Sequence, residues 1–448
     1  MSRQICISIA IAFLLSSCAS YKPNPLPNTA MPATTPASGA LQIPATSVSR
    51  PWLRPIQINL DAPLHPDAIA ALAVINNPDL AALRARAGVA DAQVFAAGLL
   101  PDPTFSVTAD KVLRGPDTLL NLAASLVIDI NALRTRTLTR TQATAQARSV
   151  HLDVAWAEWQ TAGQARLLAA RIQSFEQQRP IAQATADAAL QQAKHAAEAS
   201  ARGDIPAIDS QALRIAAQDA SARLRTLAQD LLFARQSLNR LLGLPPDAVL
   251  ALANYPLHMT VPAPVQDLFA EALAQRSDLA ALRAGYSSQE ATLHKAVLQQ
   301  FPTLNLTIAG NRDSAGNLLL GPTVDFTLPL WNRNRGVIAI EQSTRDALKA
   351  EYQSRLFQTH ADLAAARDGL LLAQHQYQAA LEDAEALHLQ ANRALAGAAR
   401  GDVAPASAYA LSQQWRDRQM LLAQLQQAIT EQAIALTLLC GAPSRVQP

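Results

Sequence analysis

Three cysteines and eight histidines are the side chains in this 448-residue chain best suited to bond making or metal binding, and their spacing limits both. Cys18 closes the run Leu15-Ser16-Ser17-Cys18, which matches the box where bacterial lipoproteins are cut and their cysteine sulfur is acylated. Cys6 lies upstream of that cut, so Cys440 alone would keep a free thiol, with no partner for a disulfide and no cysteine pair for a metal. His151, His195, His360, His375 and His388 fall on helical stretches without a second ligand one turn away, and they read as scattered polar positions. The chain carries no phosphate loop, zinc-protease helix motif or nucleophile elbow. No catalytic residue, resident metal or cofactor is expected.

The segment ahead of Cys18 explains how that sulfur would be delivered. Arg3 precedes an apolar run, Ile5–Leu15, well short of the roughly 20 apolar residues that span a bilayer. A basic start, a short apolar core and small residues before the cut describe a signal peptide over 1–17. Ala19, rather than Asp, follows the cysteine, as in signals for transfer to the outer membrane. Residues 18–60, punctuated by Pro23, Pro25, Pro27, Pro32, Pro36 and Pro44, read as a lipidated, extended tether.

Beyond the tether the sequence is written twice. Asp79–Ala85, DLAALRA, returns unchanged at Asp278–Ala284. Pro103-Thr104-Phe105 returns as Pro302-Thr303-Leu304, and Gly243-Leu244-Pro245 as Gly441-Ala442-Pro443. Ala201-Arg202-Gly203-Asp204-Ile205 returns as Ala399-Arg400-Gly401-Asp402-Val403. A period of about 200 residues is too long for a solenoid unit. The chain is one unit duplicated, with repeats over 61–250 and 251–448.

Each copy has the same internal order. A helix is expected over 66–98 and over 265–299. Two strands follow, with Phe105 and Val107 alternating with Ser106 and Thr108, and Leu120, Leu122, Leu126, Ile128 and Ile130 sharing one parity. In copy two, Leu304, Leu306 and Ile308 alternate with Asn305 and Thr307, and Val324, Phe326 and Leu328 with Asp325 and Thr327. Turn-prone residues separate the strands, at Arg114–Asp117 and Asn311–Asn317. Long helices are expected over 133–200, where Pro180 would kink the rod, and over 336–398. They reverse at the two Arg-Gly-Asp turns. The returning helices carry a heptad seam, Leu224, Leu227, Leu231, Ala234, Leu238 and Leu241, matched by Leu422, Leu425, Ile429, Gln432, Leu436 and Leu439. Composition agrees: the chain is 50% hydrophobic but only 4% aromatic, a mixture for long helices with narrow seams. A net charge of +2 gives no global field for nucleic acid.

Four amphipathic strands cannot close a barrel, and an apolar face set against lipid demands closure. Three copies would supply twelve strands, an even number suited to an outer-membrane barrel. With the duplicated plan, the lipobox, the Gly203-x5-Asp209 turn-helix signature and Leu328-Pro-Leu-Trp-Asn-Arg-Asn-Arg-Gly336, the chain resembles the TolC-like outer-membrane efflux factors. The stretch Gly88–Pro103 resembles the heavy-metal branch of that family.

The resemblance implies a mainly α chain with a small β part, and a homotrimer that builds an α-helical barrel beneath a 12-stranded transmembrane β-barrel. It implies a passive duct, not an enzyme, that works with a periplasmic adaptor and an inner-membrane pump, set in outer-membrane lipid and reaching into the periplasm. Cargo would be divalent metal cations first, organic drugs or solvents second. The five residues of each turn, Ala201, Arg202, Gly203, Asp204 and Ile205, and Ala399, Arg400, Gly401, Asp402 and Val403, would dock the adaptor's helical hairpin. An Asp after Gly could equally cap the next helix. The family narrows its tunnel mouth with acids after the second turn; Ser407 stands at the position matching Asp209, so Asp209 or Asp402 would have to serve. A lipid-anchored periplasmic coiled-coil scaffold without a pore is the competing reading.

Overall fold

The computed structural model describes residues 21–26, 40–42, 57–59, 62–111, 113–114, 119–255, 257 and 259–441. The signal peptide, Cys18, most of the tether, and Ala442 and Pro443 lie outside them. A short antiparallel pair, β1 (Ala40–Gln42) and β2 (Gln57–Asn59), comes first.

The helix expected over 66–98 is two helices, α1 (Pro66–Asn76) and α2 (Pro78–Gly98). Pro78 excludes the helical region for its predecessor, and Asn77 is extended with φ −66° and ψ 123°. Its side chain then caps α2 by accepting from the Leu80 amide at 2.9 Å. Copy two divides at the same place, into α5 (Val265–Gln275) and α6 (Ser277–Leu298), without a proline. There Arg276 is the extended residue. Its guanidinium grips Asp278 through two bonds of 2.9 and 2.7 Å and lies 4.6 Å over the Trp156 ring.

This break gives the repeated DLAALRA its physical meaning. Leu80 and Leu279 are both buried. Arg84 reaches back across the break to donate to the Val74 carbonyl at 2.7 Å, and Arg283 to the Leu273 carbonyl at 3.4 Å. In both copies the arginine ties the second helix to the last turn of the first.

The long helices extend slightly past their expected ends, as α3 (Ile130–Ala201) and α7 (Arg335–Arg400). With 72 and 66 residues they are rods of about 100 Å. The assigned helix of α3 runs unbroken through Pro180. The returning helices are α4 (Ala207–Leu241) and α8 (Pro405–Cys440). Small residues line the rods' buried faces, Ala162, Ala165 and Ala169 on α3 and Ala366, Ala373 and Ala380 on α7. The heptad seams meet them: Leu231, Leu238, Ile429 and Leu436 are buried.

Two cores result, and they match position for position. One gathers Ile69, Ile172, Leu231 and Leu238; the other gathers Leu268, Leu370, Ile429 and Leu436. The repeats are stitched along α3 and α8. Trp159 Nε1 donates to the Leu438 carbonyl at 2.9 Å, and Ser174 Oγ to Gln427 Oε1 at 2.9 Å.

At the far end from the turns stand the four expected strands, β3 (Thr104–Lys111), β4 (Leu120–Asp129), β5 (Leu304–Arg312) and β6 (Leu318–Phe326). They form one antiparallel sheet in the order β3-β4-β5-β6, so the two hairpins lie side by side through β4 and β5. Two boundaries differ from the sequence reading. Ile130 opens α3 instead of closing β4, and β6 runs Leu318–Phe326, leaving Leu328 outside it. β6 contains Pro322, which an edge strand tolerates because its outer side needs no ladder bond.

Candidate functional site

The register sorts the sheet's side chains into two faces. Residues opposite each other in an antiparallel pair share a face, so Phe105, Leu126, Ile308 and Pro322 form one row across all four strands. Val107, Leu122, Leu306, Leu320, Val324 and Phe326 fall on the same face. Several of these are half or more exposed, including Phe105, Val107, Leu320 and Phe326. The other face carries Ser106, Thr108, Asn121, Ser125, Asn305, Thr307, Asn311, Thr323 and Asp325, interrupted by Val127 and Leu319. Its polar groups pair across strands: Ser106 Oγ and Ser125 Oγ lie 2.7 Å apart, and Thr307 Oγ1 donates to Asp325 at 3.4 Å. Both outer edges, β3 and β6, lack a strand partner among the described residues.

Lys111 and Arg312 end the apolar face beside the hairpin turns. The sequence reading did not single them out, although the strand parity carried the signal.

The segment Leu328–Gly336 leads from β6 into α7. Leu328, Leu330 and Trp331 stand exposed. Arg333 and Asn334 then take left-handed conformations, with φ 47° and 55°. Such backbone is uncommon outside glycine. Asn334 Nδ2 holds it in place by donating to the Ala296 carbonyl at 2.7 Å. The chain thus turns from strand direction into the rod within a few residues.

At the opposite end both Arg-Gly-Asp turns adopt one geometry. Gly203 and Gly401 have φ 82° and 83°, the left-handed value that lets a helix reverse. The Asp204 amide bonds the Ala199 carbonyl and the Gly203 amide the Ser200 carbonyl; Asp402 and Gly401 repeat this on Gly397 and Ala398. Each Arg folds onto its own Asp, Arg202 Nε to Asp204 Oδ2 at 2.8 Å and Arg400 Nε to Asp402 Oδ2 at 2.9 Å. The capping role weighed for these aspartates is therefore not taken. Neither α4 nor α8 has a side-chain cap: Pro206 and Ala404 occupy the cap positions and offer no side-chain acceptor, and the carboxylates bond the arginines instead. Ala201, Arg202, Gly203 and Asp204, and Ala399, Arg400, Gly401 and Asp402, are exposed, while Ile205 and Val403 are partly covered.

Asp209 is exposed in the first turn of α4, whereas Asp402 already has a counter-ion. Three of the histidines sit in local pairings. His151 bonds Asp91 at 2.8 Å, His360 meets the Phe269 ring edge-on, and His388 stacks on Trp415 at 4.6 Å. Among the described residues no three His, Cys, Asp or Glu side chains gather to hold a metal ion, and no helix is long and apolar enough to cross a membrane.

Solved structures of outer-membrane channels share this arrangement of a small sheet carried on paired rods. The outer-membrane channel OprN superposes with a TM-score of 0.70 at 14% identity, over 84% of this chain and 90% of that chain. The transmembrane channel CusC superposes with a TM-score of 0.66 at 17% identity, over 84% and 92%. The outer membrane protein VceC from Vibrio cholerae superposes with a TM-score of 0.68 at 16% identity, over 84% and 96%. No protein-family model and no curated protein matches the sequence. Identities at this level speak for the fold alone: the chain, mainly helical with a small sheet, has the fold of these solved channels.

Proposed function

We propose that this chain is the outer-membrane channel of a tripartite, RND-type efflux system, a homotrimer that conducts cargo passively from an inner-membrane pump and periplasmic adaptor to the outside. One observation carries this reading. The sheet has a continuous apolar face, a hydrogen-bonding face and two open edges, on strands of 8 to 10 residues. Tilted strands of about 9–11 residues span a bilayer, a length that β4, β5 and β6 meet and β3 misses by one residue. Unpaired edges are not tolerated in hydrocarbon, so the sheet needs neighbours, and three copies give a twelve-stranded barrel. The exposed Leu328, Leu330 and Trp331 fit the inner membrane boundary, where aromatic residues gather. Cys18, acylated, would anchor the mature chain beside it.

The two Arg-Gly-Asp tips, at the ends of both helical pairs, are the adaptor dock on this reading. A wide aqueous duct selects little, so cargo follows the pump. The likeness of Gly88–Pro103 to the heavy-metal branch puts divalent cations first for testing, then drugs and solvents.

Planar bilayers test the reading. The purified protein is expected as a detergent-resistant trimer that conducts ions. A monomer without conductance would instead support the lipid-anchored scaffold.

A further inference from the structure

We propose that Lys111 and Arg312 form a binding site for the phosphate headgroup of an outer-leaflet lipid. The inference rests on the apolar face meeting lipid. Both cations share that face's parity: Lys111 lies opposite Leu120, and Arg312 opposite Leu122 on the other side of β4. Both occupy the last position of a strand that rises from the helices, and their register partners on β4, Leu120 and Leu122, lie two residues apart, so they stand near one end of the sheet. From Leu304 to Arg312 a strand tilted as barrels require climbs roughly 20 Å, close to the height of the apolar band. The cations therefore stand toward the outer end of the apolar band, from which their long stems reach the headgroup layer.

Their spacing suits one phosphate. Two strand separations and a two-residue offset put their Cα atoms roughly 12 Å apart. Long, flexible stems let the two heads converge from that distance, over Leu120 and Leu122 between them. Both are exposed. Each cation has a described acid next to it in sequence: Asp110 precedes Lys111 and falls on the opposite, hydrogen-bonding face, opposite Asn121, while Asp313 follows Arg312 and accepts from the Ala315 and Asn317 amides and from Asn317 Nδ2. Those bonds hold its carboxyl below the usual range, led by the Asn317 side chain. A guanidinium and an ammonium that form no ion pair among the described residues, on the outward parity of the sheet, call for a doubly charged phosphate oxygen cluster.

Native mass spectrometry of the full-length trimer, taken from phosphatidylethanolamine vesicles doped with a bis-phosphorylated glycolipid, tests this. The wild type should retain the phosphorylated glycolipid in preference to its dephosphorylated form. Retention should fall at least about tenfold in Lys111→Gln/Arg312→Gln and survive in Lys111→Arg/Arg312→Lys. Equal retention of the two glycolipids by the wild type, or undiminished retention by the glutamine variant while it still conducts, would overturn the site. So would displacement of the lipid by inorganic phosphate, which would mean a free-anion site. A wild-type trimer that neither inserts nor conducts would overturn the barrel reading as well, and the conductance record separates that failure from the others.

Discussion

Arg276 and Asp278, separated by one residue at the break between α5 and α6, close a two-bond ion pair at 5% and 8% exposure. Arg355 reaches the same carboxylate from α7 at 3.4 Å, and Trp156 of α3 lies beneath the guanidinium. Removing one partner leaves a buried charge without compensation. Asp278→Asn should lower the denaturant stability by about 3 kcal/mol, whereas the apolar pair Arg276→Met/Asp278→Leu should recover much of it. Equal losses in both variants would mean that the pair contributes more than mutual compensation.

Gly243 and Gly203 both have positive φ, and they should respond differently. A Cβ on Gly243 would lie 2.5 Å from the Asn76 carbonyl oxygen, in the wall of the first core. At Gly203 it would meet nothing within 4 Å. Gly203→Ala should therefore cost only about 1 kcal/mol of backbone strain. Gly243→Ala should cost more, and thermal melting of the two variants checks the order.

The tip ion pairs are exposed and local, so they add little stability. Arg202→Ala/Arg400→Ala should change folding by less than about 1 kcal/mol. If the tips dock the adaptor, the variant should still trimerise and conduct while cross-linking to the adaptor and resistance to cargo both drop. Single variants should be milder, because the two turns share one geometry. Full resistance in a well-expressed double variant would leave these turns as plain reversals.

Parity in the sheet makes a paired prediction. Leu306→Arg should cost about 2–4 kcal/mol and reduce trimer yield, whereas Phe326→Arg, opposite Leu304 at the helix-side end of the sheet, should cost less. Thr307→Arg, on the hydrogen-bonding face, should be mild. Equal tolerance would argue against lipid contact.

Cys440 supplies a pH signature. Burial, with Glu271 adding to it, pushes the thiol from 9.0 up to about 11, although Arg276 pulls the other way. The folded state thus holds its proton more tightly than the unfolded chain. This contribution is complete below the unfolded value near 9 and is lost as pH rises toward 11. Cys440→Ala should flatten the loss of stability over that window. In the native protein the thiol should resist alkylation until the chain unfolds.

Much of this architecture was legible because the sequence states it twice. The rods were visible from their length and from Gly203 and Gly401, where only one kind of residue turns a helix cheaply. The seam residues Leu231, Leu238, Ile429 and Leu436 were visible from their spacing. The break at Asn77 had a signal in Pro78, but the one at Arg276 had none, since it depends on a tertiary partner. The union of the hairpins through β4 and β5 joins segments almost a whole repeat apart, beyond the reach of local patterning. Leu318–Leu320 and Pro322 hid the start of β6, as neither alternates. At the tips the residue types were plain, but the pairing of each Arg with its own Asp follows from the turn geometry.

The open edges of β3 and β6 also set an order of events. A lone subunit can complete its helical pairs, because both cores lie within the chain. Its sheet stays an unfinished template, able to take any passing strand. On the trimeric reading, barrel formation must therefore wait for two correct neighbours, and its rate should depend steeply on subunit concentration. Holding the subunits near one another by a lipid anchor before that step would shorten the wait and limit wrong pairings. The anchor would then act as an assembly chaperone built into the chain.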